Sequence, residues 1–552
     1  MMEQRTFDER LAVSLTLTIA GKAHKVIAGS MKRFAMDLWS WGLEGEAEFL
    51  LTDNSAQGGG NKDELLPDFL KPDLVEVVLE LKAVLPETSG KPSHSALKIK
   101  AYVTEKSLVE ESVTTSGNSD VILHRRYGIR FLDAARLLWR QHYPCALYTS
   151  KTVQDVLDAH KGDKIQLAYD WQAGLGKSHS VLFLGLEPQG AASFYDWVLW
   201  YVHGHDGVFT HDYATHGYKF AAAKDSSGTP VKLHEENLEA LEVLLPEVIR
   251  HDVTILNATA VSPQTQPVTQ KQAVSGIRQD VLLCTPISDE VQARVDLETK
   301  RLRLRGAEME LVWRSFPEKA FTPGALVKLP ASEAWGAAGV AKDQVLRVRS
   351  LHLSGEVLEE QGHEEVYGDS EAMFSFRMST RLEPKDEPHV DLPAWHPPVY
   401  PRYVEGLIVS EQGAEKDETW QVYTDSATSQ DGYKVKIPLF EEQIVPAPFN
   451  PNLLPGHFYF PAYKGERVLV GLDFQRAWIK RFLDWRTGAR MPQDGQGVQL
   501  LVGKTPENGT ALKHYYTDDK PVFLMQRTHD KDTQKIQLNE GTLLIQVKEE
   551  QS

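Results

Sequence analysis

The sequence predicts a mainly β chain interrupted by one α/β stretch. Three observations predict it. Apolar residues recur at every second position in many short runs, the spacing of half-buried strands. Gly, Pro and Asn punctuate these runs at short intervals. Helical spacing enters only after Arg126, and strand texture returns from Val253.

Composition narrows the class. At 552 residues the chain should form several domains, at roughly 150 residues each. Hydrophobic residues make up 41%, enough for ordinary cores, and no run approaches the ~20 apolar residues of a membrane helix. Met1-Met2-Glu3-Gln4-Arg5 is not followed by an apolar secretory segment, so synthesis in a cytosol is expected, with any exit by another route. The formal charge of −17, from 60 basic and 77 acidic residues, argues against general nucleic-acid binding, which requires neutralising phosphates. Cys145 and Cys284 are the only cysteines and are expected as small buried hydrophobes rather than a disulfide.

The elements follow in order. Leu11, Val13, Leu15, Leu17 and Ile19 alternate with small polar residues; Phe34-Met36-Leu38, Ala47-Phe49-Leu51, Leu74 to Leu85 and Leu97 to Val103 continue the pattern. Gly58-Gly59-Gly60-Asn61 and Ser112 to Asn118 read as loops. These strands predict a first barrel over 1–125. Over 126–252, Tyr127 to Phe131 reads as a strand, and Ala134, Leu137, Leu138 and Tyr143 share a helical face before Pro144. Thr152 and Ser193 stand where N-caps belong, ahead of Val153-Val156-Leu157 and Trp197-Val198-Tyr201. Val208 to His211 and Tyr218 to Ala221 read as paired strands. A second barrel is expected over 253–383, from Asp280 to Cys284, Phe321 to Leu329, Val345 to Leu353 and Phe374 to Met378. Residues 384–400 are a Pro-rich, stiff linker.

Residues 401–490 carry Tyr403 to Val409, the alternating Tyr433-Val435-Ile437, Pro455-Gly456-His457 and Gly465 to Leu472. Several short strands in such a span fit an oligonucleotide/oligosaccharide-binding (OB) barrel. Over 491–552, Val498 to Val502, Val522 to Met525, Ile536 to Leu538 and Leu543 to Val547 are further strands. So few short strands cannot bury a core alone, so identical tails are expected to intertwine.

This order of barrel, α/β insert, barrel, Pro-rich linker, OB barrel and β-tail resembles the VgrG spike proteins of type VI secretion and the hub-spike proteins of contractile phage tails. Tyr127 to Phe131 through Ser150 to Leu157, Ser193 to Trp200 through Gly207-Val208-Phe209, Phe321-Thr322-Pro323-Gly324, and Gly465 to Val470 carry the resemblance. It implies a homotrimer whose two hub β-barrels per chain form a six-part ring, with the tails wound into a short intertwined β-prism. That ring would adapt a three-fold spike to a six-fold inner tube, and the spike would puncture a target envelope. It implies as partners an Hcp-like hexameric tube, baseplate components, a PAAR-like tip protein and effector cargo. It implies no nucleic acid and no stable membrane insertion. Assembly in a bacterial cytoplasm followed by ejection across the envelope is the implied route. The tail is shorter than the long β-helix of many members, which implies a separate tip protein.

Catalytic chemistry is weakly signalled, and no enzyme, cofactor or metal is expected. Gly174-Leu175-Gly176-Lys177-Ser178 lacks the earlier glycine of a phosphate loop, where Trp171 stands. His203, His205, His211 and His216 with Asp206 and Asp212 form the densest metal-capable cluster, at spacings that match no zinc pattern. His389 and His396 flank the linker without a nameable partner. Glu359-Glu360 and Glu364-Glu365 read as a solvated face, and Trp197, Trp200 and Tyr201 as core or subunit contact. No Gly-x-Ser-x-Gly element is present. Five residues follow Val547 and only a short connection follows Arg486, leaving no room for a catalytic domain there. The alternative class is a carbohydrate- or cell-wall-acting enzyme or binding module on the same scaffold.

Overall fold

The structure, a computed structural model, describes all residues except 1–4, 85–94, 115–120, 191, 260–263, 286, 359–369, 416, 418, 425–430, 449–461, 484–497, 506–507 and 550–552. Pro455-Gly456-His457, the two Glu pairs after residue 358 and Arg486 therefore lie outside the described residues. The chain is mainly β and divides into two units. One comprises Met1–Cys145, Thr152–Ser178 and Leu186–Val399; the other comprises Ala146–Lys151, His179–Gly185 and Tyr400–Ser552.

In the first unit a 13-stranded sheet dominates. Strand Phe7–Ile19 pairs with Val75–Ala83, which pairs with Leu97–Thr114, then Val121–Leu132, Gly42–Asp53 and Met31–Trp39. Strands Leu346–Val357 and Glu371–Pro384 close this ring, because the first pairs with Met31–Trp39 and the second with Phe7–Ile19. Every second residue of Phe7–Ile19 from Leu11 onward points into the ring and is buried, as the alternation predicts.

The same long hairpin continues into a second, open group of strands. Its other half pairs with Leu326–Lys328 and Glu308–Trp313, and the latter with Leu238–Leu244. The stretch expected as second-barrel strands, Val345 to Leu353 and Phe374 to Met378, is thus shared: Ser350 to Glu356 and Glu371 to Phe376 complete the first ring. Tyr127 to Phe131 likewise belongs to the ring sheet.

The stretch from Val253 departs from the barrel expectation. Asp252–Asn257, Gln264–Val268 and Arg278–Leu283 form a separate three-stranded sheet. Helix Ser288–Arg301 covers it, around Val253, Ile255, Val268, Val291 and Leu302. The linker runs without regular secondary structure, tied to its own unit. The Glu387 carboxylate accepts from Gly306 N–H at 2.8 Å, and Asp391 pairs with Arg305 and Arg349.

The α/β stretch holds short helices at Ala134–Trp139, Val153–His160 and Phe194–Gly204. The first is shorter than its expected run to Tyr143. The other two begin with full capping boxes, Thr152 with Asp155 and Ser193 with Asp196, each satisfying helix-end N–H groups reciprocally.

The second unit begins with a six-stranded antiparallel sheet: Arg402–Val409, Tyr423–Thr424, Asp431–Ile437, Gln443–Pro448, Arg467–Leu472 and Ala477–Phe482. Its core of Tyr433, Val435, Ile437, Val445, Val468 and Val470 also takes Leu147, Val181 and Phe183 from the two upstream segments. Phe183 N–H donates to Phe474 O at 2.8 Å, locking one of those segments in place.

Candidate assembly interface

The C-terminal strands form a five-stranded antiparallel meander: Val498–Thr505, Asn508–Thr517, Lys520–His529, Asp532–Asn539 and Thr542–Lys548. Two-residue turns join the last four, with Thr517 opposite Lys520, His529 opposite Asp532 and Asn539 opposite Thr542. Asp518, Asp519, Asp530 and Gly541 adopt positive φ there, which Asp and Gly tolerate and tight hairpins demand. Asn508–Thr517 was not anticipated. Each inner strand has both of its neighbours within this one chain.

What remains open is one face. Strict alternation places Leu500, Leu512, Met525, Ile536 and Ile545 in one cross-strand row. Val498, His514, Phe523, Leu538 and Leu543 form the adjacent row. Val502, Thr510, Arg527, Gln534 and Val547 form the next. Val498 is 78% exposed, Ile545 68% and Leu543 61%. The opposite face carries Lys513, Gln526, Lys535, Gln537 and Gln546 with one exposed apolar residue, Leu544, and there Ala511, Val522 and Leu524 are buried. A wide apolar face on one side of a polar-backed sheet is the signature of a surface that another chain covers.

The residues singled out for chemistry go elsewhere. His203 lies against Trp395 and Arg301, and His205 hydrogen-bonds Tyr201 O at 2.9 Å. His211 sits among Tyr213 and Tyr218, and His216 pairs with Glu76 at 3.0 Å while stacking on Tyr102. Burial holds all four below the ordinary imidazole range, His211 at about 4. Asp206 pairs with Lys300, and Asp212 with Thr215. Among the described residues no three His, Cys, Asp or Glu side chains gather for a metal ion.

Gly174 lies in the short helix Gln172–Leu175 against the Trp171 ring, where a Cβ would come within 2.1 Å. Trp197 and Tyr201 are core, stacked 5.9 Å apart. His389 pairs with Glu387, and His396 N–H donates to Asp196 at 3.2 Å. Cys145 and Cys284 are exposed and form no disulfide, not buried as expected; Cys145 opens the strand Cys145–Tyr148 and Cys284 follows the strand Arg278–Leu283.

No known family's sequence profile matches this chain. No curated protein matches it either. Solved structures do. A chain of a PdpA–VgrG complex in a lidless state superposes with a TM-score of 0.72 at 11% identity, covering 100% of both chains. A chain of the lidded Francisella PdpA–VgrG complex gives 0.71 at 12% identity, over 98% of this chain and 80% of that one. The E. coli c3393 protein is described as a type VI secretion component similar to the T4 tail proteins gp27 and gp5. It reaches 0.45 at 12% identity, over 85% of this chain and 99% of its own. The first two scores span the closed strand ring, the α/β stretch, the six-stranded sheet and the meander together. By fold, this chain is VgrG-like.

Proposed function

We propose that this chain is the hub and spike of a contractile injection apparatus and works as a homotrimer. The observation that carries the reading is the uncovered apolar face of the meander, on a chain whose fold is VgrG-like. Three such sheets facing a common axis would bury one another's rows and make a three-sided prism, each chain contributing a whole wall. Two such sheets packed face to face would also bury these rows; three copies is the number that the VgrG resemblance implies.

The two strand groups of each chain, one a closed ring and one open, joined by the shared hairpin, would give six strand groups in a trimer. That count suits a six-fold Hcp-like tube on one side and a three-fold spike on the other. The six-stranded sheet of the second unit fits an OB-type collar. A prism of five strands per wall has a blunt end, which suits a separate PAAR-like tip. Sheath contraction would drive this part through a target envelope, with effector cargo attached. No catalytic step is assigned to the chain. The test is the particle mass of the purified full chain at micromolar concentration: three times 62.0 kDa supports the reading, and a stable monomer removes it.

A further inference from the structure

The outer face of the six-stranded sheet carries an aromatic row that the proposed role leaves unused. The inner face of the same strands packs Val468, Val470, Leu472, Ala477 and Ile479 into the core. Alternation therefore turns Tyr403, Gly471 and Trp478 outward, side by side on three neighbouring strands. Gly471 has no side chain, and the Trp478 indole lies across it. A Cβ added there would come within 2.6 Å of the ring. Trp478 is partly exposed, and Tyr403, on the other side of Gly471, is 49% exposed. The sheet thus offers two aromatic rings on one surface, one of them held against bare backbone.

Polar groups rim this row. Along the strands the next outward positions are Glu405, Leu469 and Arg481, and Arg467 pairs with Glu405 at 2.6 Å. At the turn beyond Gly471, Asp473 faces Arg476 at 3.9 Å. The rim therefore holds acceptors and donors beside an aromatic surface. A pyranose ring presents the matching mixture: an apolar C–H face, girdled by hydroxyls that both donate and accept. A nucleic-acid base would also stack, but the rim carboxylates and the formal charge of −17 oppose its phosphates. The geometry points to a saccharide platform at Tyr403 and Trp478, built for a β-linked chain of pyranose rings. It binds and cleaves nothing, and it stands whatever the oligomeric state of the chain.

The platform is preorganised. Because the indole rests on the Gly471 backbone, it gives up little rotamer freedom when a ligand arrives. Each ring contributes one stacking face, so loss of one of the two should weaken binding about tenfold. The Glu405–Arg467 pair is exposed and can reorient toward hydroxyls.

The experiment titrates the full chain with chitohexaose and cellohexaose, read by tryptophan fluorescence and saturation-transfer NMR. Saturable binding of at least one hexamer is expected. Tyr403→Ala should bind it about tenfold more weakly, and Tyr403→Phe, which keeps the ring face, within about twofold of the natural chain. Absence of binding to both hexamers overturns the platform and leaves Trp478 a shield over a glycine backbone. Equal binding by the natural chain and Tyr403→Ala overturns it too. So does preference for a single-stranded thymidine oligonucleotide over the hexamers. A particle mass that falls in Tyr403→Ala would make the row a subunit contact and likewise overturn it. Should Tyr403→Ala fail to fold, magnetisation transfer in the natural chain decides: transfer from the Trp478 indole to sugar C–H protons supports the platform, and none overturns it.

Discussion

Replacing Ile545 by Asp should dismantle the assembly and leave the single chain folded. Ile545 sits at the end of the row Leu500–Leu512–Met525–Ile536–Ile545 and is 68% exposed in the isolated chain, so its own sheet loses little. In the proposed trimer that side chain is covered. Full burial of an isoleucine stabilises by about 1.5–3 kcal/mol, and two thirds of that is about 1–2 kcal/mol. Asp forfeits this gain and places an unpaired carboxylate in an apolar interior, at a further cost of several kcal/mol. Together these come to about 4 kcal/mol per chain, or about three orders of magnitude in association for each of the three copies. The control is the next residue. Gln546 points from the opposite, polar face, and Gln546→Asp should leave the assembly intact. Sedimentation velocity at micromolar concentration reads the difference, with circular dichroism confirming that both variants retain their strands. Equal behaviour of the two variants would refute the reasoning, because the account depends on which face is covered.

Other expectations follow from the folded units. Phe183→Ala removes a fully buried ring from the core of the six-stranded sheet, and should cost about 3–5 kcal/mol in the second unit, read by denaturant unfolding. By the same reasoning residues 400–552 expressed alone, without Leu147, Val181 and Phe183, should be markedly less stable than in the full chain, as limited proteolysis would show. Asp63→Asn should destabilise the ring by about 1–3 kcal/mol on thermal or chemical melting, because Arg125 keeps Asp53 and Glu110 as partners. Asp63 is buried and accepts from Tyr127 and Arg125, so its loss leaves the buried Arg125 partly uncompensated. Thr152→Ala and Ser193→Ala should each cost about 1 kcal/mol through loss of a helix cap, measured the same way.

Local periodicity carried most of what was legible. The alternation of Leu11 to Ile19 identified a strand and its buried side, because one face of that strand fills a barrel. Thr152 and Ser193 announced two helices through side chains whose chemistry is spent on the nearest N–H groups. Helix Ser288–Arg301 was illegible because only Val291 and Glu298 along it are buried; a polar helix on a small sheet leaves almost no apolar stripe. Asn508–Thr517 mixes polar and apolar residues on both faces, and its neighbours impose the strand.

Non-local pairing was the larger gap. Nothing in Leu346–Val357 or Glu371–Pro384 says that one hairpin serves two groups of strands. Nothing near Leu147 or Phe183 says that they fill a core assembled some 250 residues later. The interface was partly legible. Ile536-Leu538 and Leu543-Ile545-Val547 show their period of two directly. That strand pairing would be met within the chain, leaving a face for neighbours to cover, required the register.

The most direct test of the account is cryo-electron microscopy of the purified full chain. The prediction is a three-fold particle in which three meanders form the walls of a prism, with Val498, Phe523, Met525 and Ile545 turned toward the axis. A single-chain particle, or a three-fold one with those side chains facing solvent, would contradict it.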